Sequence, residues 1–95
     1  MTAGREDFVE APYEAPRDEL EKQVADIVAE VLGVDRVGRD DSFYDFGGTS
    51  LQAIRICTRI ERVLGMKALP LWFFSNDVLH EFVQELRTKA EKAHV

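Results

Sequence analysis

The stretch DSFYDFGGTSL, residues 41–51, leads through two glycines to a hydroxyl at the start of a strongly patterned helix. Gly47 and Gly48 lack a β-carbon, so they tolerate positive φ and let a partner's backbone or active site come close. Bulkier side chains at these two positions would crowd that approach. Ser50, which follows them, is therefore the candidate functional residue.

Thr49 and Gln52 fit a capping box, in which the threonine bonds the third helical amide and the glutamine bonds back to the cap. This pattern places Ser50 at the first helical position, where capping does not use its hydroxyl. At the positive end of the helix dipole a phosphate ester gains roughly 0.3–1 kcal/mol, so the position suits a phosphorylated adduct. The residues alone leave a second interpretation open, in which Ser50 itself caps an ordinary junction.

The stretch resembles the phosphopantetheine-attachment motif of peptidyl carrier proteins, the thiolation domains of nonribosomal peptide synthetases, usually written D-x-F-F-x-L-G-G-x-S-L. Tyr44 replaces the second Phe and Phe46 replaces the Leu, and both changes keep an apolar or aromatic side chain. The resemblance extends over residues 15–87 and is far more specific than a lone glycine-rich triplet. One departure is Asp77-Val78, which stands where the family usually has Pro-Thr at the start of its last helix.

The resemblance implies that a phosphopantetheinyl transferase, with its own magnesium ion and base, attaches 4'-phosphopantetheine from coenzyme A to Ser50. Gly47, Gly48, Thr49 and Leu51 complete the attachment motif, and a threonine before the serine favours the peptidyl class. The arm is expected to hold an aminoacyl or peptidyl thioester for an adenylation enzyme or domain and for condensation or tailoring enzymes. The carrier itself is expected to have no catalytic residue and no metal site.

Length and charge agree with a small carrier. A chain of 95 residues, 45% of them hydrophobic, allows one domain with a modest core. A net charge of -6 and a pI near 4.8 disfavour nucleic-acid binding. No apolar run approaches the ~20 residues of a membrane span, and no signal peptide is recognisable. We therefore expect a cytoplasmic monomer that binds neither nucleic acid nor membrane.

The chain divides into three predicted segments. Residues 1–16 contain Gly, Pro and charges without helical periodicity, which predicts a flexible leader similar to the linker after an adenylation domain. Residues 17–87 form the carrier domain, and residues 88–95 a charged tail that frays. Without alternating strand patterns, the fold class is all-α: a small four-helix bundle with three main helices, a short third helix and a long loop between helices 1 and 2. Met1 favours a discrete carrier, although an excised domain given a start methionine would look the same.

Helical periodicity defines two of the main helices. The first opens near Asp18, with Glu21 as a carboxylate variant of the capping box, and ends at Gly33. Its predicted inward stripe is Leu20, Val24, Ile27, Val31 and Leu32. The second runs over residues 50–64, and Gly65 ends it. Its predicted inward positions are Leu51, Ile54, Cys57, Ile60 and Leu64.

The remaining elements are a long loop and two shorter helical segments. Residues 34–49 form the loop, in which Asp40 and Asp41 serve as hydrogen-bond acceptors. Three apolar side chains should pin this loop to the core: Val37, Phe43 and Phe46. A short element at residues 71–74 precedes a last helix that begins near residues 75–77. That helix should bury Val78, Leu79, Phe82, Val83 and Leu86.

Three arginines form a candidate recognition edge on the second helix. Arg55, Arg59 and Arg62 are spaced 4 and 3 apart, which puts them on one side of the helix, clear of the Ile54 and Cys57 stripe. We expect partner surfaces facing this edge to be apolar with some acidic groups. The alternative is a solvated face whose arginines only improve solubility.

Three consecutive aromatic residues, Trp72, Phe73 and Phe74, form a second candidate surface. They cannot all point inward from one helical turn, so at least one should be exposed. The core accounts for two of them, and the third would contact a partner or the pantetheine arm. Trp72 is the residue assigned here to partner recognition.

Other chemistries find little support in the sequence. A serine hydrolase elbow needs G-x-S-x-G, whereas Ser50 is followed by Leu51-Gln52, and the histidines His80 and His94 lie in the last helix and tail. Calcium-loop and Walker patterns are absent. The alternatives left open are an acyl carrier of a polyketide-type pathway and an unmodified acidic helical adaptor that binds proteins through the same face.

Overall fold

The computed structural model describes residues 2–93, and the side chains of residues 2–90. Within this range the chain forms four α-helices, which are α1 (Glu19–Leu32), α2 (Ser50–Leu64), α3 (Trp72–Ser75) and α4 (Leu79–Ala93). Two 3-10 turns are present as well, Arg5–Asp7 before α1 and Phe43–Phe46 before α2. The described residues contain isolated β-bridges and no β-strand. The all-α prediction, with a long loop between α1 and α2, is confirmed.

Local signals set the ends of the first two main helices. Asp18 caps α1 by accepting a 2.9 Å hydrogen bond from the Glu21 amide. Gly33 and Gly65, both left-handed, end α1 and α2 as predicted. The last helix starts later than predicted, at Leu79, because Asp77 is engaged by the loop before α2.

The core forms where α1 packs against α2 and α4, with α3 packed on α4. Its most completely buried apolar side chains are Val24, Ile56, Ile60, Phe82, Val83 and Leu86. The Phe73 ring lies between two others, 4.5 Å from the Phe43 centroid and 4.0 Å from the Phe82 centroid. This aromatic stack joins the loop, α3 and α4. The loop anchors predicted from the sequence, Val37, Phe43 and Phe46, are all buried.

The predicted inward stripes of α1 and α2 are partly wrong. Leu51 and Ile54 are exposed, at 56% and 49% of their surface, and the buried positions of α2 are Ala53, Ile56, Cys57 and Ile60. These buried positions keep helical i, i+3, i+4, i+7 spacing, so residues 51 and 54 fall on another face. In α1, Leu20, Val31 and Leu32 are only partly buried, and the smaller Ala25, Val28 and Ala29 complete the core face.

Both predicted terminal segments differ in the structure. The leader is held against the domain, because Arg5 and Val9 are buried and Ala3 forms a β-bridge with Val34. At the other end α4 continues through Ala93, through strong helix formers such as Ala, Glu and Lys, rather than fraying after residue 87. His94 and Val95 lie outside the described residues. Within residues 2–93 no helix is long and apolar enough to cross a membrane.

Candidate functional site

Ser50 is the first residue of α2, and its side chain is exposed. The capping box is formed by its neighbours: the Gln52 amide donates to Thr49 Oγ1 at 3.3 Å, and the Thr49 amide donates to Gln52 Oε1 at 3.0 Å. The prediction of a Thr49 cap is confirmed, and the alternative in which Ser50 caps the helix is wrong. Among the described residues no hydrogen bond occupies the Ser50 hydroxyl, so it is free to react at the positive end of the helix.

The two glycines before this hydroxyl are required for different reasons. Gly47 has φ 73°, and its N–H donates to the carbonyls of Phe43 and Tyr44, closing the 3-10 turn. Gly48 has no unusual φ, but a β-carbon there would lie 2.4 Å from two ring carbons of Phe43. The left-handed Gly47 turns the chain, and Gly48, which has no side chain, lets it pass over the Phe43 ring and enter α2.

An open apolar cavity of about 350 Å³ lies beside Ser50. Its wall combines the loop, the start of α2 and α3, and includes Phe43, Gly48, Ser50, Ala53, Ile54 and Phe73. Phe74 and Ile54 in this wall are 75% and 49% exposed, and Leu51, which follows Ser50 in the chain, is 56% exposed. The exposed hydroxyl, the helix N-terminus and the Gly48 corner fit a phosphate ester, with an apolar surface beside it for an attached arm or a docking protein.

The predicted recognition residues fall into two groups. Arg55 and Arg62 are exposed, whereas Arg59 forms an ion pair with Glu30 of α1. The arginines are not clear of Ile54 as predicted: Ile54, Arg55, Thr58, Arg59 and Arg62 line one groove with Glu30 and Val31. The exposed face of α2 is consequently mixed, apolar near Ser50 and basic further along.

The assignment of Trp72 to partner recognition has to be corrected. Trp72 is buried, at 7% exposure, and its ring lies 6.2 Å from that of Phe82, because α3 turns it onto α4. Phe73 is buried too, so Phe74 is the exposed aromatic residue of the three. The expectation that the core takes two of the three rings is confirmed, and the wrong one was assigned to the surface.

In the middle of the loop, at Asp41, the structure shows a buried ion pair that sequence reasoning missed. Asp41 accepts hydrogen bonds from Arg5 Nε at 2.6 Å, from Arg5 Nη2 at 2.8 Å and from the Gly38 amide at 2.7 Å. Burial raises the pKa of Asp41, but the Arg5 and Gly38 hydrogen bonds outweigh it and hold that pKa below its ordinary value. Asp41 was predicted only as a loop acceptor, because its partner lies 36 residues away.

The remaining reactive groups take no part in this site. Cys57 is buried, and burial raises its pKa to about 12, in agreement with the predicted core role. His80 is half-buried, and its Nε2 lies 3.6 Å from an Asp40 carboxylate oxygen. Within the part of the chain that the structure describes, no group of His, Cys, Asp and Glu could hold a metal ion.

Comparison with known proteins gives a consistent result. A family model described as phosphopantetheine attachment site matches residues 22–86. A dimodular nonribosomal peptide synthase of Bacillus subtilis is 53% identical over 51 residues, which are 54% of this chain and 2% of that protein. Malpinin synthetase of Mortierella alpina is 46% identical over 59 residues, which are 62% of this chain and 1% of that protein. The chain thus spans a very small part of the length of the curated relatives it matches.

Solved structures show the same likeness. The solution structure of an active-site mutant peptidyl carrier protein superposes with a TM-score of 0.75 at 29% identity, covering 84% of this chain and 89% of that one. A second structure, of the phosphopantetheine transferase Sfp in complex with coenzyme A and a peptidyl carrier protein, gives a TM-score of 0.74 at 28% identity, covering 80% and 99%. Both likenesses extend over at least 80% of this chain.

Proposed function

This chain belongs to the phosphopantetheine attachment family, as a peptidyl carrier domain of the nonribosomal peptide synthetase type, and we propose that Ser50 is its attachment residue. The observation that carries the proposal is the free Ser50 hydroxyl at the first position of α2. Thr49 does the capping, so the hydroxyl can form an ester without unwinding the helix. The first amides of α2 stabilise the negative charge that a phosphate brings.

Loading is a phosphoryl transfer from coenzyme A. Ser50 Oγ attacks the phosphorus that bears the pantetheine, a new O–P bond forms, the pyrophosphate bond breaks, and adenosine 3',5'-bisphosphate leaves. The transferase supplies the magnesium ion and the base that takes the hydroxyl proton. The carrier contributes an exposed nucleophile in a fixed position, so it is a substrate of this enzyme and not itself a catalyst. The attached group supplies the thiol on which an aminoacyl or peptidyl thioester is held.

The partners follow from this role. The Sfp complex shows a transferase recognising another peptidyl carrier of the same fold, and we extend that recognition to this chain. Adenylation enzymes or domains and condensation or tailoring enzymes would dock in turn, which requires small interfaces that release quickly. We place the carrier in the cytoplasm as a monomer, where tethering raises the effective concentration of the bound substrate at each active site.

The docking face is the exposed side of α2 with the tip of α3. Leu51 and Phe74 supply apolar area close to Ser50, and Arg55 and Arg62 supply positive charge further along. A complementary partner surface is apolar opposite the first turn of α2 and acidic opposite its second half. Arg59 belongs to the same edge, although its ion pair with Glu30 takes up part of its charge.

The proposal is tested by intact mass spectrometry after incubation with a broad-range phosphopantetheinyl transferase, coenzyme A and magnesium. We expect one phosphopantetheine on the wild type and none on Ser50→Ala. Ser75→Ala, which removes an exposed hydroxyl in α3, is the matched control and should load like the wild type. Addition to Ser50→Ala would overturn the attachment site, and a folded wild type that takes no arm would favour the unmodified adaptor.

A further inference from the structure

The N-terminal leader pairs with the beginning of the loop between α1 and α2. The Ala3 amide donates to the Gly33 carbonyl at 2.9 Å, and the Asp35 amide donates to the Ala3 carbonyl at 2.8 Å. The Arg5 amide then donates to an Asp35 carboxylate oxygen at 2.7 Å. These bonds join segments about thirty residues apart, so the leader forms part of the folded domain.

Arg5 is the most buried residue of this leader, at 1% exposure. Its guanidinium bonds both carboxylate oxygens of Asp41, and Nη2 also donates to the Ala11 carbonyl at 2.9 Å. The guanidinium thereby pairs with the buried Asp41 carboxylate and also holds the backbone at residue 11 against the Arg5 side chain. A buried charge needs a partner of this kind, because an unpaired ion in a protein interior is strongly destabilising.

The leader has a second line of contact beyond Arg5. The Arg39 amide donates to the Glu14 carbonyl at 2.8 Å, and the Arg36 guanidinium lies 3.9 Å from the centroid of the Tyr13 ring. Gly38 completes this contact, since a β-carbon there would lie 2.9 Å from the Glu14 carbonyl oxygen. We call residues 3–14 the leader clamp. It follows the loop from residue 33 to Asp41.

Asp41 is the residue at which the clamp meets the part of the loop that leads to Ser50, residues 41–49, which we call the loading loop. Its backbone carbonyl accepts from the Leu79 amide at 3.0 Å, which ties it to the start of α4. The next residue, Ser42, donates through its hydroxyl to Asp77, and the Phe43 amide donates to the Asp77 carbonyl. From this point the chain enters the 3-10 turn and the two glycines that deliver Ser50.

We propose that Arg5 is a positioning residue for the loading of Ser50. It acts through Asp41, because it holds in place the residue from which the chain runs through the 3-10 turn and the two glycines to the Ser50 hydroxyl. This inference rests on the proposed attachment at Ser50. Arg5 lies outside residues 22–86, to which the family model extends, so the clamp is a feature of this chain beyond that match. The functional unit accordingly begins at the clamp and not at residue 17.

The test compares four full-length proteins: wild type, Arg5→Ala, Arg5→Lys and Arg17→Ala, the last being a matched change at an exposed arginine outside the clamp. Initial rates of phosphopantetheine transfer give kcat and KM for the carrier. Amide hydrogen exchange is followed by mass spectrometry at residues 41–48 and in α1 and α4.

Arg5→Ala should lower kcat/KM for the carrier by about tenfold or more, since small misplacements of a reacting group have effects of this size. Exchange should accelerate more at residues 41–48 than in α1 and α4. Arg5→Lys, which keeps the charge but not the paired hydrogen bonds, should recover part of the rate, and Arg17→Ala should behave as the wild type. Unchanged loading by a folded Arg5→Ala, or an equal acceleration of exchange throughout the chain, would overturn the proposal.

A double variant, Arg5→Ala with Asp41→Ala, protects the test against simple misfolding, because it leaves no unpaired buried charge. It should fold and still load slowly; loading at the wild-type rate would refute the positioning role. Should the wild type itself take no arm, the attachment proposal fails, and with it the role of Arg5 in loading. The exchange comparison at residues 41–48 then still decides whether Arg5 fixes the loop.

Discussion

The two ends of the loading loop are built in opposite ways. At the Asp41 end a charged pair is almost completely enclosed, with both side chains no more than 3% exposed. At the Ser50 end a neutral hydroxyl is exposed and the apolar side chains around it face solvent. Buried, fully bonded charge fixes a position, whereas exposed apolar surface offers a contact that many partners can make and leave. The comparison indicates a rigid base that carries an accessible tip.

The largest effect is expected when one charge of the buried Arg5–Asp41 pair is removed, because this tests whether the Asp41 end is the rigid one. Asp41→Ala leaves the Arg5 guanidinium buried without its carboxylate, so we expect a loss of about 3–5 kcal/mol in the free energy of unfolding. Denaturant unfolding followed by circular dichroism measures it. Glu6→Ala is the control, since the Glu6–Arg36 pair is exposed and should matter little. Equal loss in the two variants would contradict the distinction between base and surface.

Lowering the pH should weaken the Arg5–Asp41 pair before it affects the exposed end of the loop that carries Ser50. Because the folded pKa of Asp41 lies below its ordinary value of 3.8, the unfolded chain binds more protons in acid. The stabilisation is fully present above that ordinary value and is lost as the pH falls through the lower, folded pKa. Unfolding measured from about pH 6 to about pH 2 should show the decrease, and a double variant lacking Arg5 and Asp41 should show a smaller one. Parallel curves would exclude Asp41 as the source.

The junction between base and tip is sensitive to volume at Gly48. We expect Gly48→Ala to cost about 1–3 kcal/mol, because its β-carbon must displace the buried Phe43 ring. Gly47→Ala meets no atom within 4 Å and adds only backbone strain, so it is the control. Chemical shifts of the stacked Phe43 and Phe73 rings should change in the first variant and stay in place in the second. The reverse pattern would be inconsistent with the observed packing.

At the helix start we expect a smaller effect. Thr49→Ala removes the cap of α2 and should cost about 1 kcal/mol, measured by thermal or denaturant unfolding. Thr49→Ser keeps a capping oxygen and should recover most of the stability. If Thr49→Ala were as stable as the wild type, Ser50 would have to take over the cap, and loading would then slow.

The tip itself should affect docking and leave stability nearly unchanged. Leu51→Ala should change the free energy of unfolding by less than about 0.5 kcal/mol, since the side chain is mostly exposed. In the transferase assay its KM should rise by about three- to tenfold through the lost apolar contact. Val63→Ala, at a similarly exposed position near the far end of α2, is the control and should leave KM unchanged. A destabilised Leu51→Ala would show that residue 51 belongs to the core.

The features that the sequence predicted well are local. The Thr49 and Gln52 capping box, the Asp18 cap and the glycine stops at residues 33 and 65 depend on a few neighbouring residues, and the structure has them all. The position of Ser50 at the start of α2 follows from the same short range. Such signals are readable because the backbone satisfies its end groups within one turn.

The features that could not be predicted depend on distant partners. Nothing near Arg5 in the sequence indicates that Asp41 will bury it, since a charged residue in a Gly- and Pro-containing leader usually stays solvated. Trp72 and Phe74 are adjacent aromatics, and only the placement of α3 on α4 decides which one is covered. Leu51 and Ile54 fit a helical apolar stripe as well as their buried neighbours do, and the tertiary contacts select the other face.

The burial of Cys57 protects the thioester on the arm from attack by a second thiol of the same protein. A thioester is attacked by any thiolate that reaches it, and a second reactive sulfur on the same protein could capture the acyl group or form a disulfide with the arm. Cys57 is the chain's single cysteine, and its side chain is enclosed with a pKa raised to about 12. At neutral pH it is a protonated, inaccessible thiol. The loaded carrier would thus present a single nucleophilic sulfur, that of the arm. Because the core encloses Cys57, acyl exchange would take place at the arm sulfur alone.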